Sequence, residues 1–485
     1  MSYDSLSDFV SELEDDGDLV RVSAEVDPVF EIAEITRRRC ASGGESPALC
    51  FDNVKGCPIP LVTNLLGSQR RMCRALRTAS FDEVAARIVG LMEPELPQGW
   101  IESLKLVPHV SELTKLPPKS VKSGICQQVV KMGRDVDLAE LPILTCWPNE
   151  AAPTITMGQV FTEHPKSHLR HVGLSPLEVR GQNRLAVHWN VHQESWRHFT
   201  EHRALGRQMP VAVVLGGDPV YTYMATAPLP PHTDACLLGG LLRGENVNLV
   251  KCRSIDLEVP ADAEIVIEGL IDTAAELEPA GPIAWPTGFY GEREELPTLQ
   301  VTALTHRSNP FYPAMIPGPP PMDEYWLGKA TERVMVPFLK LLLPEIVDLH
   351  MPRAGLFRNL LFVSIRKQYP QQARQVMNGL WGLGQLAVAK MVVVVDENVD
   401  VHDEEQVWYD VGANTHPGRD VVFCEGPTHM TDHAAPVRGM GHKMGIDATR
   451  KSFEEGHPRN WPERLAVNEE IAEMVTRRWS EYGFD

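Results

Sequence analysis

Residues 187 to 202 read "VHWNVHQESWRHFTEH", which brings His188, His192, His198 and His202 close together in the chain. Within this stretch "HFTEH" satisfies the HxxEH pattern, in which two histidines one helical turn apart face a zinc ion and the glutamate polarises a water. Metal-assisted hydrolysis is one reading of it, and a solvated helix face is the other. His188 and His192 lie in "LAVHWNVH", which alternates like a strand. Residues of equal parity share a strand face, so His188, Asn190 and His192 are expected to point the same way and to offer three polar or metal-binding groups. The alternative is a solvent-facing strand surface.

Two other segments have the composition of site walls. In "EPAGPIAWPTGFYG", 278 to 291, glycines and prolines fix a turn, Trp285, Phe289 and Tyr290 supply flat apolar surface, and Glu278 is the single carboxylate. In "VRGMGHKMGIDATRK", 437 to 451, loop N–H groups with Arg438, Lys443 and Arg450 could hold a phosphate, although the segment is neither a Walker motif nor GxGxxG. "GLWGLG" at 379 to 384 is expected inside a helix, where it would permit close packing. No GxSxG elbow anchors a serine hydrolase.

The elements that must position these groups fall into three parts. "SLSDFVSELEDD" places Leu6, Phe9, Val10 and Leu13 at helical spacing behind a serine cap, and "DLVRVSAEV" then alternates, so an α/β domain is expected over 1–110. The Pro-rich, aperiodic stretch 107 to 124 marks a linker. Many short strands separated by Gly, Pro and Asn predict an antiparallel barrel or sandwich core over 111–315, with one helix near "WRHFTEHRALGR". Over 316–485 a helix at "EYWLGKATERVMVPFLKLLL", a strand at "LLFVSIRK", a helix through "QQARQVMNGLWGLGQLAVAK" and a strand at "MVVVVDENV" predict a C-terminal α/β layer with a partly parallel sheet.

The chain has 485 residues and a formal charge of −19, which favours a soluble cytoplasmic protein and argues against nucleic-acid or anionic-membrane partners. Small molecules are the default ligand. Nine cysteines without a CxxC pair argue against a zinc ribbon and a disulfide framework. The acidic N-terminus is unlike a signal peptide, and no apolar run reaches the roughly 18 residues of a membrane span.

Taken together, these stretches resemble the UbiD family of reversible decarboxylases. The likeness runs through "VDPVFEIAEITRR", "FDNVKG", "LPILTCWPNE", "LLRGENVNLVKCRSIDLEVPADAEIVIEG", "PEIVDLHMP", "IRKQYPQQARQVMNGLW" and "GHKMGIDATRK", in order along the whole chain. It implies an N-terminal α/β domain, a central split β-barrel that holds flavin, and a C-terminal α/β domain that forms a homodimer or homohexamer. The implied activity is non-oxidative decarboxylation or carboxylation of an aromatic or α,β-unsaturated acid. The implied cofactor is prenylated FMN, supplied by a separate flavin prenyltransferase, with a divalent metal (Mn, Fe or Zn) and room for K+.

Residue by residue, the resemblance places His171, Leu174, Ser175, His188, Trp189, Asn190, His192, Gln193 and Lys443 at the cofactor. It places His171, His192 and Asp234 at the metal, Ala235 standing where the family has a glutamate ligand. The family's Glu-Arg-Glu catalytic network is absent: its arginine position is Pro176, and its two acidic positions are Ala280 and Trp285, so these three are expected to face substrate. His188 is the leading proton carrier and Glu278 the second candidate. The decarboxylase reading includes a substrate with a large handle such as a CoA thioester; a cofactor-binding partner subunit without its own activity and a rebuilt His-rich metal site with hydrolytic chemistry are the alternatives.

Overall fold

The protein is described by a computed structural model covering residues 3–41, 46–92, 116–229, 233–319, 322–355 and 359–484. The expected boundary at 110 and the first half of the linker around it lie outside the described residues. Near the N-terminus, helix Leu6–Asp15 buries Leu6, Phe9, Val10 and Leu13, the stripe its spacing demands. Ser5 precedes it without capping it, because its hydroxyl donates to Asp8 at 3.2 Å instead of accepting a main-chain N–H. A small sheet follows, in the order Leu19–Val22, Ala48–Phe51, Leu61–Thr63 and Tyr312–Ala314. Its last strand arrives from the far end of the central segment and runs parallel to Leu61–Thr63.

The central part is built on a nine-stranded sheet whose pairings are all antiparallel. Strand Met209–Leu215 shows why its sequence, "MPVAVVL", is almost continuously apolar. Met209, Val211, Val213 and Leu215 join one core, while Ala212 and Val214 join a second core with the N-terminal helix residues Phe9 and Leu13. Both faces of the strand are covered, so neither parity needs a polar side chain. The sheet bends at a bulge between Glu268 and Gly269. A Cβ on Gly269 would meet the Gln300 carbonyl oxygen at 2.4 Å, a main-chain contact that no rotamer change can relieve.

In the C-terminal part, strands Leu360–Ile365, Met391–Asp396 and Met440–Asp447 are mutually parallel, flanked by antiparallel Ile346–His350 and Val421–Pro427. The expected partly parallel sheet is therefore present. Two sequence expectations change here. Helix Gln372–Trp381 stops short of Lys390, because the Trp381 indole donates to Ala389 O at 3.1 Å and the chain turns back in a short 3-10 segment, Gly384–Val388. "GMGHKMGID" is a strand and not a phosphate loop. Gly445 lets that strand lie under the helix, since a Cβ there would meet Met377 Sδ at 2.5 Å and Trp381 at 3.2 Å.

Gly269→Ala should lower unfolding free energy by about 1–3 kcal/mol, as overpacking against fixed backbone does. Chemical denaturation of the purified variant checks this, and an unchanged midpoint would show that the bulge relaxes freely.

Candidate active site

An open cleft of about 1200 Å3, its mouth included, lies between the central sheet, the start of helix Asp323–Leu342 and the loop after strand Val421–Pro427. Leu174, Trp285, Met315, Ile316 and Met322 give it apolar walls, and Glu150, His188, Asn190, Gln193, Glu294 and Arg438 supply convergent polar groups. Apolar walls with a few placed polar groups are the usual form of a small-molecule site.

Beneath one wall sits a buried carboxylate. Strand Leu177–Val179 runs antiparallel to Arg184–Val187, with Glu178 opposite Ala186 and Leu177 opposite Val187. The next residue, His188, donates its main-chain N–H to Pro176 O at 3.1 Å, which fixes its ring beside Glu178. Glu178 is fully buried. Its Oε2 accepts the Gly281 N–H at 2.6 Å and lies 3.3 Å from His188 Nε2, and Arg180 Nε lies 3.1 Å from Oε1. Burial pushes its pKa up, but the bonds from His188 and Gly281 and the Arg180 charge outweigh burial and hold it below the ordinary carboxylate range.

An ionised carboxylate facing Nε2 places the imidazole proton on that nitrogen and the lone pair on Nδ1. His188 is itself buried, it lines the cleft, and its Nδ1 has no hydrogen-bond partner among the described residues. One ring nitrogen held by a buried acid and the other unpartnered is the arrangement of an oriented general acid or base.

Glu150 is a second acid of the cleft. Its Oε2 accepts the N–H groups of Cys146 at 2.7 Å and Trp147 at 3.0 Å, and its Oε1 accepts that of Ala284 at 3.2 Å. Burial raises its pKa against those three bonds, with Glu178 adding to the rise. Through Ala284 it anchors the 278–291 loop, where Trp285 and Phe289 close a turn: Trp285 N–H donates to Phe289 O at 3.1 Å and Gly288 N–H to Trp285 O at 3.0 Å.

Of the residues singled out from sequence, Leu174, Pro176, His188, Trp189, Asn190, Gln193 and Trp285 line this cleft. Others lie elsewhere. Ser175 is buried with its N–H on Gly158 O, and Ala280 packs under the wall against Ala186 and Leu296. Glu278 does not reach the cleft lining, because it is half-exposed and paired with Arg184. Lys443 is buried in its strand with its ammonium on the Ala387 carbonyl, where burial lowers its pKa. The expected common face of His188, Asn190 and His192 does not form, since the strand ends at Val187. Asn190 Oδ1 accepts the His192 N–H at 3.0 Å in a turn that leaves His192 exposed. Sequence reasoning missed Glu178, Glu150 and Glu294, and gave Arg438 no place in this cleft.

The expected metal ligands do not converge. Asp234 is paired with Arg170 at 2.8 Å and caps a helix through the Cys236 N–H at 2.9 Å, so its charge is already met. His171 faces the ring of His198, 6.1 Å between centroids, and His192 lies on the surface. The HxxEH pair is likewise structural. His198 Nδ1 bonds Thr162 Oγ1 at 3.0 Å, both ring nitrogens of His202 lie on main-chain carbonyls, and Glu201 pairs with His164 at 2.9 Å. Among the described residues the one group close enough to share an ion is Glu332, His350 and His402. There the Lys329 ammonium sits 2.7 Å from both Glu332 oxygens and 2.9 Å from His350 Nδ1, in the place an ion would take.

This combination, an antiparallel half-barrel sheet between two α/β parts with a histidine-bearing cleft at their junction, defines a class that sequence and structure comparisons identify. The N-terminal, Rift-related and C-terminal domains of 3-octaprenyl-4-hydroxybenzoate carboxy-lyase match residues 10–88, 119–320 and 325–448. The chain belongs to the UbiD family. A protein of Aquifex aeolicus is 41% identical over 483 residues, covering 100% of this chain and 99% of its own, and one of Archaeoglobus fulgidus is 38% identical over 483 residues, covering 99% of each. Among solved structures, the UbiD-class enzyme HmfF from Pelotomaculum thermopropionicum in complex with FMN superposes with a TM-score of 0.79 at 28% identity, over 96% of this chain and 97% of that one. Sedimentibacter hydroxybenzoicus vanillic acid decarboxylase in closed form gives 0.86 at 25%, over 99% of both chains. No helix among the described residues is long and apolar enough to cross a membrane.

The buried histidines carry a pH prediction. Burial, reinforced by neighbouring positive groups, lowers His171 to about 4 and His198 to about 3, from an ordinary value of 6.5. The unfolded chain therefore takes up protons below about pH 6.5 that the folded chain refuses until lower pH, so stability should fall as pH drops through that window. Thermal unfolding between pH 7.5 and 4.5 should show this slope, and His198→Gln should flatten it. An equal slope in the variant would contradict the assignment.

Proposed function

We propose that the chain is a non-oxidative decarboxylase, reversible as a carboxylase, that acts on an aromatic or α,β-unsaturated carboxylic acid with prenylated FMN and uses His188 as its proton carrier. The observation that carries this is the buried His188, with Nε2 on Glu178 and Nδ1 unpartnered at the cleft wall. The cleft also has the features a flavin needs. Trp189 is buried at its lining with an indole N–H that has no partner among the described residues, a donor waiting for an acceptor. Asn190 and Gln193 add amides beside it, and Leu174, Met315 and Ile316 accept a flat ring system.

Prenylated FMN, when bound, supplies the electron sink for the bond to the departing carboxylate. This chain's residues then do the rest. The apolar walls exclude water and seat the unsaturated part of the acid, with Trp285 offering an aromatic face. As carbon dioxide leaves with the carboxylate's two oxygens, the electron pair of the broken carbon–carbon bond must end in a new C–H bond. His188 first takes a proton from solvent on its free Nδ1, giving an imidazolium that Glu178 stabilises, and then passes that proton from Nδ1 to the carbon, returning to the neutral ring. Glu178 is thus a positioning residue and His188 a catalytic one. The cofactor comes from a flavin prenyltransferase, and we propose a homodimer or homohexamer as the assembly.

His188→Asn should cut turnover by about 10²–10⁴-fold, the usual contribution of a general acid, while bound flavin stays stoichiometric. Glu178→Gln should depress kcat more than it raises KM and shift the pH profile of kcat. Full turnover by the His188 variant would remove the histidine from the mechanism.

A further inference from the structure

The resemblance puts Pro176 at the family's arginine and Ala280 and Trp285 at its two acids, and on that reading the acid substrate needs another partner for its carboxylate. We infer that Arg438, held by Glu294, is the group that binds the carboxylate that leaves. This rests on the decarboxylase reading and names the recognition chemistry of the same cleft.

Glu294 begins strand Glu294–Leu296, which pairs antiparallel with Glu278–Ala280, and its register partner is Ala280. The replaced acid and Glu294 are therefore neighbours across one ladder, about 5 Å apart at Cα. Ala280 itself is buried against Ala186 and Leu296, where an ionised carboxylate would have no partner. Moving the acid one strand over puts it at the cleft lining instead. Gly281, directly after Ala280, donates to Glu178, the residue that orients His188. The same two-stranded ribbon thus carries the Glu294 acid on one side and supports the proton carrier on the other.

Arg438 comes from the C-terminal part. Its loop is closed by Thr428 N–H on Gly439 O at 3.0 Å and by the Asp432–Lys390 ion pair at 2.9 Å. It is seated against the central part by His433 on Phe289, with centroids 4.0 Å apart. Nη2 of Arg438 donates to Glu294 and Nε lies 3.4 Å from Met430 O. Nη1 has no hydrogen bond to any described residue. Arg438 is the one arginine or lysine among the described residues lining the cleft, whose acids are Glu150, Glu294 and Glu324. A carboxylate entering this acidic space has a single cationic fork to meet, and Glu294 holds that fork in one orientation. Since the product has lost its carboxylate, Arg438 is needed for the acid and not for the product.

The test uses holoenzyme loaded with prenylated FMN and screened against hydroxybenzoates, furoates and naphthoates, with the acid turned over fastest as the probe. Arg438→Gln should lower kcat/KM for that acid about 100-fold. Flavin content and deuterium exchange from D2O into the decarboxylated product should remain at wild-type level. Arg438→Lys should recover only part of the loss, Glu294→Gln should raise KM about tenfold, and added guanidinium should restore Arg438→Ala. Unchanged kcat/KM in Arg438→Gln would overturn the inference and leave the decarboxylase reading standing. Loss of flavin from that variant would also overturn it, because Arg438 would then hold the cofactor phosphate. A wild-type holoenzyme that neither turns over an acid nor exchanges a product proton would sink the decarboxylase reading itself.

Discussion

Burying the Glu178 carboxylate is the constraint that organises the site. An ionised acid with no solvent contact is tolerated only where partners surround it, and here the His188 ring and the Gly281 N–H bond one oxygen while the Arg180 guanidinium lies as a counter-charge 3.1 Å from the other. Satisfying that one charge fixes the end of strand Arg184–Val187, the start of the 278–291 loop and the tautomer of the histidine together. Removing any donor would leave a buried charge short of partners, so the geometry of the proton carrier is coupled to the stability of the wall behind it.

Around that centre the cleft is assembled from parts that fold for their own reasons. Strand Met209–Leu215 in the central sheet is buried on both faces. The 278–291 loop is tied down by Glu150, and the C-terminal loop reaches over from a sheet whose helix packs tightly on Gly445. The groups proposed for substrate recognition and proton delivery, Arg438 and His188, therefore lie on different parts of the chain that meet only in the folded state. On the proposed reading, the cationic group for the substrate stands on a separate loop, at Arg438, and the central sheet keeps its shape.

Much of the fold was legible in the sequence because periodicity reports burial. The Leu6, Phe9, Val10 and Leu13 stripe and the doubly apolar strand Met209–Leu215 show this directly. The site was legible in part. His188 and the cleft residues Leu174, Trp189, Asn190 and Gln193 come from the resemblance, whereas the alternation that grouped His188 and Asn190 with His192 stops with the strand at Val187. Glu178 does not, because an acid in "PLEVR" looks like the polar side of an edge strand until pairing with Arg184–Val187 turns it inward. Glu294 and Arg438 are distant in sequence and are united only by a ladder and a domain contact. The segment around Lys443 misled for a physical reason: Gly445 serves close helix packing, and residues 440–447 run as a strand that leaves no open loop for an anion.

The most direct test of the account is the absorbance spectrum and mass of the small molecule released from protein co-produced with a flavin prenyltransferase. A cleft with an unpartnered Trp189 N–H and an oriented His188 predicts prenylated FMN at close to one per chain. Folded protein that carries no flavin under those conditions would contradict it.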